Sequence, residues 1–404
     1  MKHSIVIAIV LASGLVFSTD SFAQKKNSDK ETQEGYQFKD IISIPVTPVK
    51  NQYRSGTCWC FASMSFIEAE LIRVGQGEYD LSEMFGVRMA YQSKAVKYVR
   101  MHGKTNFAGG GLAHDVLWVW DNFGFVPEEA YPGLEIGEKN HIHGEMDAVL
   151  SGYINEVIKN RNRKLSSVWN KGFNSLLDAY LGDYPAEFTY EGKSYTPESF
   201  AAEFKINPED YVAIGSYTHH PFNETFVLEI PDNWMWGEIY NVPMDEMMRV
   251  LDHAIESGYS VLWDADVSEK GFDWKNGVAL IPSEEIEDLD GLERARWDEL
   301  SPEEKKDLFY DFSSPRKEKV ISQALRQASF DNYLTTDDHL MHITGIATDQ
   351  NGSKFYRVKN SWGTENHVYD GYLYASNAYM QYKTIFFMVH KDALPEDIAA
   401  KLGL

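Results

Sequence analysis

A long apolar helix is predicted to begin at Cys58, and it constrains the fold more than any other stretch of the chain. Residues 58 to about 73 follow a helical pattern, Gly56 allows a tight turn before them, and Gly75 ends the run. Two neighbouring stripes of mostly apolar residues cover most of the helix surface: Cys60, Met64, Ile67 and Leu71 in one, and Trp59, Ala62, Phe66 and Ala69 in the other. A helix of this kind is expected to be buried in a domain core.

Cys58 occupies the first turn of this helix, which is a position suited to a nucleophile. The helix dipole and the unpaired N–H groups of a first turn stabilise a thiolate, so Cys58 is predicted to have a raised thiolate fraction. Cys60, the second of the two cysteines, points about 200° away around the helix and is predicted to be a core residue. On position alone, a cysteine at a helix start is more often a small buried hydrophobic residue than a nucleophile.

The residues around Cys58 resemble those of the papain superfamily of cysteine peptidases. Gln52 lies six residues ahead of the Cys58-Trp59 pair, and residues 47–52, TPVKNQ, are similar to the start of a papain-type mature domain. In that superfamily the glutamine supplies an amide of the oxyanion hole. The resemblance therefore implies that Cys58 is the nucleophile and that Gln52 stabilises the oxyanion.

A thiol nucleophile needs a base, and two histidines in a predicted strand at residues 339–347 compete for that role. His339 and His342 are three residues apart, so they lie on opposite faces of the sheet and only one can face Cys58. In papain-like sequences the catalytic histidine lies six residues before a small residue that ends the strand, and His339 has this spacing to Gly345. We predict that His339 is the base and that His342 is a structural histidine with satisfied hydrogen bonds.

Two further motifs resemble papain-type substrate and catalytic elements. In Asn360-Ser361-Trp362-Gly363, the resemblance implies that Asn360 accepts a hydrogen bond from the His339 ring, while Trp362 shields that bond and contacts substrate. Gly109 and Gly110 precede a helix predicted at residues 113–123 and resemble the glycine pair that lets a substrate backbone approach the cleft wall. An ordinary flexible loop is the alternative for the two glycines.

The first residues of the chain have the pattern of a secretory signal peptide. Residues 1–23 combine Lys2, an apolar run at 5–17 and the small residues Ser21 and Ala23 before a cleavage point. Residues 24–41 are polar and are predicted to be a flexible lead-in. We therefore expect export to the periplasm or the extracellular space.

The charge and histidine patterns exclude several classes of partner and cofactor. A net charge of −23 disfavours nucleic acid and anionic membranes, and no later stretch is long and apolar enough to span a membrane. The pairs His141/His143 and His219/His220 lack carboxylate or cysteine partners at ligand spacing in the sequence. No metal, no other cofactor and no nucleic-acid partner is therefore predicted, and the expected partners are peptide substrates.

The long separation of Cys58 from His339 resembles the bleomycin hydrolase and aminopeptidase C branch of the superfamily. The resemblance implies an α+β, papain-like two-domain fold with a helical domain, a sheet-rich barrel-like domain and a large, mainly helical insertion. The predicted boundaries are a helical domain at 42–133, an insertion at 134–240, and a sheet-rich domain at 241–404 that includes a charged excursion at 283–320. Members of this branch are commonly homohexamers, so a homohexamer assembled through the insertion is expected.

The resemblance implies a thiol-dependent peptidase, and aminopeptidase action is slightly favoured over endopeptidase action. Family members usually carry a further C-terminal tail whose carboxylate holds the substrate's N-terminus, and this tail looks missing after residues 394–396. The Leu404 carboxylate or the acidic residues of 283–304 could replace it. An open-cleft endopeptidase is the first alternative, and an inactive peptide-binding or scaffold homologue is an alternative from another class.

Overall fold

The computed structural model describes residues 35–162, 164–283, 299–301, 304 and 310–404. The predicted signal peptide and most of the predicted lead-in and charged excursion lie outside the described residues. Within the described part, Ser301 and Glu304 exchange the hydrogen bonds of a capping box, as a predicted helix start there requires. No helix of the described part combines the length and apolarity needed to cross a membrane.

Ten α-helices are present among the described residues. They are α1 (Cys58–Arg73), α2 (Glu83–Arg100), α3 (Ala113–Phe123), α4 (Gly144–Ile158), α5 (Val168–Leu181), α6 (Pro197–Ala201), α7 (Met244–Glu256), α8 (Gln323–Asp331), α9 (Asn377–Lys383) and α10 (Glu396–Leu402). The helix predicted from Cys58 is confirmed as α1. Of its 16 residues 13 are buried, and these include Ser63, Ser65, Glu68 and Glu70 besides the apolar side chains.

The strands of the described residues form one large sheet and one small hairpin. They are β1 (Lys39–Ser43), β2 (Phe188–Tyr190), β3 (Lys193–Tyr195), β4 (Tyr211–Gly215), β5 (Thr225–Val227), β6 (Glu238–Asn241), β7 (Val261–Ala265), β8 (Phe272–Asp273), β9 (Val278–Ala279), β10 (His339–Thr348), β11 (Lys354–Lys359), β12 (Tyr372–Ser376) and β13 (Thr384–His390). The large sheet has the order β5-β6-β4-β13-β7-β10-β11-β12-β9-β8, with β1 also paired to β10, while β2 and β3 form the hairpin. The predicted α+β class is confirmed.

The large sheet separates two hydrophobic cores, and this separation decides what can lie near Cys58. Leu340 and Leu262 belong to the core that contains α1 to α3, whereas Met341 and Trp263 belong to the core that contains α7, α9 and α10. Successive residues of β7 and β10 therefore face opposite cores, as the pleat requires. Helix α10 consequently packs on the face of the sheet that is turned away from α1.

The predicted insertion at 134–240 divides into two structural parts. Its first part holds α4, α5, the β2–β3 hairpin and α6, and these elements extend the core of α1 to α3. Its last part supplies β4, β5 and β6, which continue the large sheet beyond β13. The insertion is thus built into both layers of the molecule.

Gly345 is required by a close approach between two strands. The Ile42 carbonyl of β1 lies where a side chain at residue 345 would stand, and the pairing of β10 with β11 is irregular between Ile343 and Gly345. A larger residue at 345 would push β1 off the sheet. This contact explains why a small residue follows His339 at a fixed distance.

Candidate active site

The Cys58 thiol lies at the first turn of α1, where the chain enters the helix. Cys58 is half-buried, and the first carbonyl acceptor of the helix is that of Thr57. Cys60 is fully buried and its thiol donates to the Glu83 carbonyl at 3.1 Å. The prediction that Cys60 is a core residue is confirmed, because two positions along a helix place the two thiols on different sides.

The predicted thiolate at Cys58 is not supported by the electrostatics of the site. Burial raises the pKa of the Cys58 thiol to about 12, and the carboxylates of Asp264 and Asp337 raise it further. The backbone N–H groups of Leu340 and Trp59 lower the pKa, but their effect is smaller than the loss of water. The sequence argument considered only the helix start and missed the desolvation and the two carboxylates.

His339 is held by Asn360 in one orientation. Its Nε2 lies 2.7 Å from Oδ1 of Asn360, and both residues are buried. Since an amide oxygen only accepts, Nε2 carries the ring proton and Nδ1 is left as the basic nitrogen. Burial lowers the pKa of His339 to about 4 although the bond to Asn360 raises it, so the imidazole is neutral at pH 7.

Trp362 covers the His339 ring. The two ring centroids are 4.7 Å apart with an interplanar angle of 34°, and Trp274 packs edge-on against Trp362 with centroids 5.1 Å apart. The indole keeps water from the bond between His339 and Asn360. The structure therefore assembles the side chains of the NSWG motif around His339.

Gln52 is fixed by the residue that follows Asn360. Its backbone N–H donates to the Ser361 carbonyl at 2.8 Å, and its Oε1 accepts from the Ser361 hydroxyl at 2.7 Å. Because Oε1 is engaged, the orientation of the amide is set and Nε2 is directed elsewhere. No residue of the described part accepts a hydrogen bond from Nε2, which leaves this N–H group available for a ligand.

The two predicted substrate-binding glycines lie beside α1, but their surroundings are partly occupied. The Gly109 carbonyl accepts from Nε1 of Trp59 at 2.9 Å, and the Gly110 carbonyl accepts from Nζ of Lys94. The carboxylate of Asp232 fills the space that a side chain at residue 110 would take. Asp232 was not singled out from the sequence, because it lies more than a hundred positions away in the predicted insertion.

Two more carboxyls near Cys58 were missed in the sequence. Asp264 on β7 is in register with Leu340, and apart from Asp337 neither of its buried oxygens has a donor among the described residues. Burial and the neighbouring Asp337 raise the pKa of Asp264 well above its usual range, and burial raises the pKa of Asp337 to about 7. The sequence offered one signal: Asp337 and Asp338 directly precede His339.

His342 faces the body of α1 and is fully enclosed. Its Nδ1 lies 2.9 Å from the Ser65 hydroxyl, whereas its Nε2 has no partner among the described residues. Burial, assisted by the positive charge of Lys359, lowers its pKa well below the usual range. The expectation that both nitrogens of His342 are satisfied is therefore wrong, because the interior offers a single partner.

The fold also brings together three possible metal ligands whose spacing in the sequence is not that of a metal site. Nε2 of His219 and Nε2 of His220 lie 3.2 Å and 3.8 Å from the Glu229 carboxylate. These three residues could hold a metal ion, although Glu229 is exposed. The expectation that this histidine pair has no carboxylate partner is wrong, since a reverse turn of the chain returns Glu229 to it.

Leu404 ends a helix on the far side of the sheet from α1. The ion pair of Arg249 with Asp397, and that of Lys401 with Glu246, attach α10 to α7. The Leu404 N–H closes the helix on the Ala399 carbonyl at 3.0 Å. The Leu404 carboxylate is thus not among the groups that surround Cys58.

The chain is similar to known peptidases in both sequence and fold. The model of the peptidase C1-like family matches residues 308–403, which include His339 and Asn360. Aminopeptidase C of Lactococcus lactis subsp. cremoris is 23% identical over 88% of this chain and 83% of its own length. Aminopeptidase C of Streptococcus thermophilus is 22% identical over 99% of this chain and 91% of its own length.

A solved structure supports the same fold. The crystal structure of PepW from Lactobacillus rhamnosis superposes with a TM-score of 0.68 and covers 90% of this chain and 84% of the other. The sequences are 17% identical over that superposition, so the likeness concerns the fold.

Proposed function

We propose that the chain is a papain-like cysteine peptidase of the peptidase C1-like family and that it acts as an aminopeptidase with Cys58 as nucleophile and His339 as base. In this proposal Asn360 orients the imidazole and Gln52 donates to the oxyanion. The observation that carries it is the 2.7 Å bond between Nε2 of His339 and Oδ1 of Asn360, together with a cysteine at a helix start whose sulfur lies near the backbone N–H of Leu340, the residue after His339.

Acylation follows from the protonation states of the free site. Cys58 is a thiol and His339 a neutral imidazole, so proton transfer to Nδ1 accompanies the attack of Sγ on the peptide carbonyl. The developing oxyanion accepts hydrogen bonds from the Cys58 backbone N–H and from Nε2 of Gln52. Collapse of the tetrahedral intermediate breaks the C–N bond, and the imidazolium gives its proton to the departing amine.

Deacylation uses the same groups in reverse roles. His339 removes a proton from a water molecule, whose oxygen attacks the thioester carbonyl, and the same oxyanion donors stabilise the second intermediate. Breaking the C–S bond releases the N-terminal residue as a free amino acid, and the proton held by His339 returns to the Cys58 sulfur. Asn360 keeps the ring in one tautomer through both steps.

The test of this function compares one peptide with a free N-terminus and the same peptide with an acetylated N-terminus. Cleavage of the free peptide alone, with stepwise release of N-terminal residues, is the expected result for an aminopeptidase. Equal cleavage of both peptides would instead favour an open-cleft endopeptidase. A folded protein that binds both peptides and cleaves neither would favour an inactive peptide-binding homologue.

Export is proposed from the pattern of residues 1–23. Fractionation of expressing cells should place a shortened protein in the periplasm or medium, and Edman sequencing should start near residue 24. A full-length protein confined to the cytoplasm would contradict export.

A homohexamer is proposed from the resemblance to the bleomycin hydrolase branch, with residues 134–240 in the contacts between subunits. Light scattering of the mature protein should then give about six times the mass of one chain, which is 46.2 kDa with its first 23 residues included. A single-chain mass at all micromolar concentrations would contradict the hexamer.

A further inference from the structure

We propose that Asp232, together with Asp264 and Asp337, forms a subsite beside Cys58 that binds the α-ammonium group of the substrate. This inference rests on the proposed aminopeptidase function and deepens it, because it names the residues that recognise a free N-terminus. Neither the Leu404 carboxylate nor the acidic residues of 283–304 is needed in this role.

The position of Asp232 is the first observation. Its carboxylate lies against Gly110, in the space where a side chain at that residue would stand, and Asn106 donates to its Oδ1 at 2.6 Å. In a cleft of this family type, the glycine pair is where the backbone of an extended substrate approaches. A carboxylate at this place blocks the position of a second residue on the N-terminal side of the cleaved bond. It also places a negative charge where the N-terminus of a substrate with one such residue would lie.

Asp232 lies in the segment 228–237, which is fixed by side-chain hydrogen bonds. Nε1 of Trp234 donates to the buried Asp115 carboxylate at 2.6 Å, and the Asn233 side chain donates to the carbonyls of Leu228 and Gly237 at 2.8 and 2.9 Å. These bonds fix the loop on both sides of Asp232, so the carboxylate is presented in one position.

Asp264 and Asp337 supply the second and independent observation. Asp264 is completely buried, and both of its oxygens lack a donor other than Asp337 within the described part of the chain. One oxygen of Asp337 is likewise buried and without a partner. Asp264 and Asp337 share one hydrogen bond with each other, but no other donor reaches their buried oxygens among the described residues. Buried oxygens without a further donor are costly, so this pair near a nucleophile indicates a missing positively charged partner.

The charges around these residues are strongly unbalanced. Burial is the main cause that raises the pKa of Asp264 and of Asp337, and the negative charge of Asp232 raises both further. Lys94 partly compensates Asp232, but the same lysine is shared with Asp115 and Asp147 and already donates to the Gly110 carbonyl. An ammonium group with three N–H donors would satisfy the unpaired oxygens and reduce this repulsion.

The subsite also links substrate binding to the nucleophile. Asp264 and Asp337 are the two carboxylates that disfavour the Cys58 thiolate. An ammonium group bound to them would cancel part of that repulsion and lower the pKa of Cys58 when the correct substrate is present. A substrate with a blocked N-terminus would lack both the binding contact and this effect.

The test uses the mature enzyme and its Asp232→Asn variant with three peptides of otherwise neutral side chains. The first has a free N-terminus, the second is the same peptide acetylated, and the third is acetylated with a lysine two residues before the cleaved bond. Asp232→Asn should lower kcat/KM for the free peptide about ten- to a hundredfold, mainly through KM, and leave the acetylated peptide unchanged or improved. Asp121→Asn, an exposed carboxylate on α3, is the matched control and should behave as wild type.

The outcomes separate this inference from the function on which it rests. If wild type shows no preference for the free peptide, the aminopeptidase function itself fails. If wild type prefers the free peptide and folded Asp232→Asn keeps the full preference, the inference is overturned while the function stands. Cleavage of the lysine peptide that is lost in Asp232→Asn would overturn the α-ammonium assignment in favour of a side-chain ammonium.

A second variant guards against a folding defect in the first. Asp337→Asn, like Asp232→Asn, should reduce the preference for the free peptide over the acetylated one, because it removes a negative charge from the proposed subsite. If folded Asp337→Asn keeps the full preference for the free peptide, Asp337 is not part of the subsite.

Discussion

Two groups of polar side chains lie between α1 and the β10–β11 pair, and they differ in the hydrogen bonds that their side chains make. The cleft group comprises Cys58, His339, Asn360 and Gln52. The buried group comprises Lys50, Glu68, Glu83, Lys359, Ser65 and His342. Each group contains a histidine from β10 and a partner at the end of β11 or directly after it, so residue type and chain segment do not distinguish them.

The difference lies in which atoms remain without a partner. In the cleft group, Asn360 takes one nitrogen of His339 and Ser361 takes the oxygen of Gln52, which leaves a basic nitrogen and an amide N–H. In the buried group, Lys50 binds Glu83 at 2.7 Å, and Lys359 donates to Ser65 at 2.7 Å. His342 in the buried group also keeps one nitrogen without a partner among the described residues, so an open position alone does not make a site. The cleft group differs because it also contains the half-buried thiol of Cys58.

The largest expected effect separates the two cysteines. Cys58→Ala should reduce peptidase activity by at least about a thousandfold because no other nucleophile is present in the cleft group. Cys60→Ala should retain most activity and lose about 1 kcal/mol of stability, since it removes one buried sulfur from the core. Initial rates on a free-N-terminus peptide, with thermal unfolding of both variants, measure this contrast.

Alkylation provides a control for the cysteine contrast. Iodoacetamide followed by peptide mass mapping should label Cys58 well before Cys60 in the native protein, because Cys60 is fully buried. Equal activity losses in two folded variants, or equal labelling, would contradict the assignment of Cys58.

The next effect separates the two histidines. His339→Ala should lower peptidase activity about a hundredfold or more with little change in unfolding temperature, since it deletes the base of the cleft group. His342→Ala should leave the cleft group intact and lower stability by about 1–2 kcal/mol, because Ser65 and Lys359 lose a neighbour in the interior. A stable but inactive His342→Ala would reverse the two roles.

A smaller effect is expected at the oxyanion donor. Gln52→Ala should lower kcat by about a hundredfold while KM changes little, because the amide contacts the oxyanion in the transition state. Ser65→Ala in the buried group is the matched control and should leave kcat unchanged at some cost in stability. A purely structural role of Gln52 would instead lower stability and leave kcat of the folded fraction intact.

The smallest effect concerns the pH dependence of stability. Burial lowers the pKa of His342 well below its usual value, so the unfolded chain binds this proton first as the pH falls below about 6.5. The stability that neutral His342 contributes above that pH is lost progressively as the pH falls toward its folded pKa. His339, His141 and His143, with pKa values lowered to about 4 by burial, act in the same direction.

A variant isolates the contribution of His342 to this effect. Urea unfolding at several pH values should show His342→Gln less stable than wild type near neutral pH, with the difference shrinking by about 1–2 kcal/mol as the pH falls to about 5. A constant difference at all pH values would mean that the pKa of His342 is the same in the folded and the unfolded protein.

The local sequence predicted many elements well because local patterns control helices. The helix predicted at residues 113–123 is α3 in the structure, with the same bounds. The helix predicted from Cys58 to about residue 73 is α1, which ends at Arg73.

The choice between His339 and His342 shows how far pattern reasoning reached. Alternation along β10 established that the two lie on different faces, but it did not say which face Cys58 approaches. In the structure His342 faces the body of α1, against Ser65 and Phe66, while His339 lies at the first position of the strand beside Asn360. The spacing to Gly345 selected His339, and that spacing reflects the contact of Gly345 with β1.

The sequence by itself determined the helix that begins at Cys58, the strand that carries both histidines, and the order of the motifs along the chain. Only the tertiary structure decided that Asp232 stands against Gly110, that Asp264 is buried beside Asp337 without a further donor among the described residues, and that desolvation raises the pKa of Cys58. The reason is physical: helix and strand patterns depend on neighbours a few residues apart, whereas burial and Coulomb interactions depend on residues that the fold brings together from distant positions.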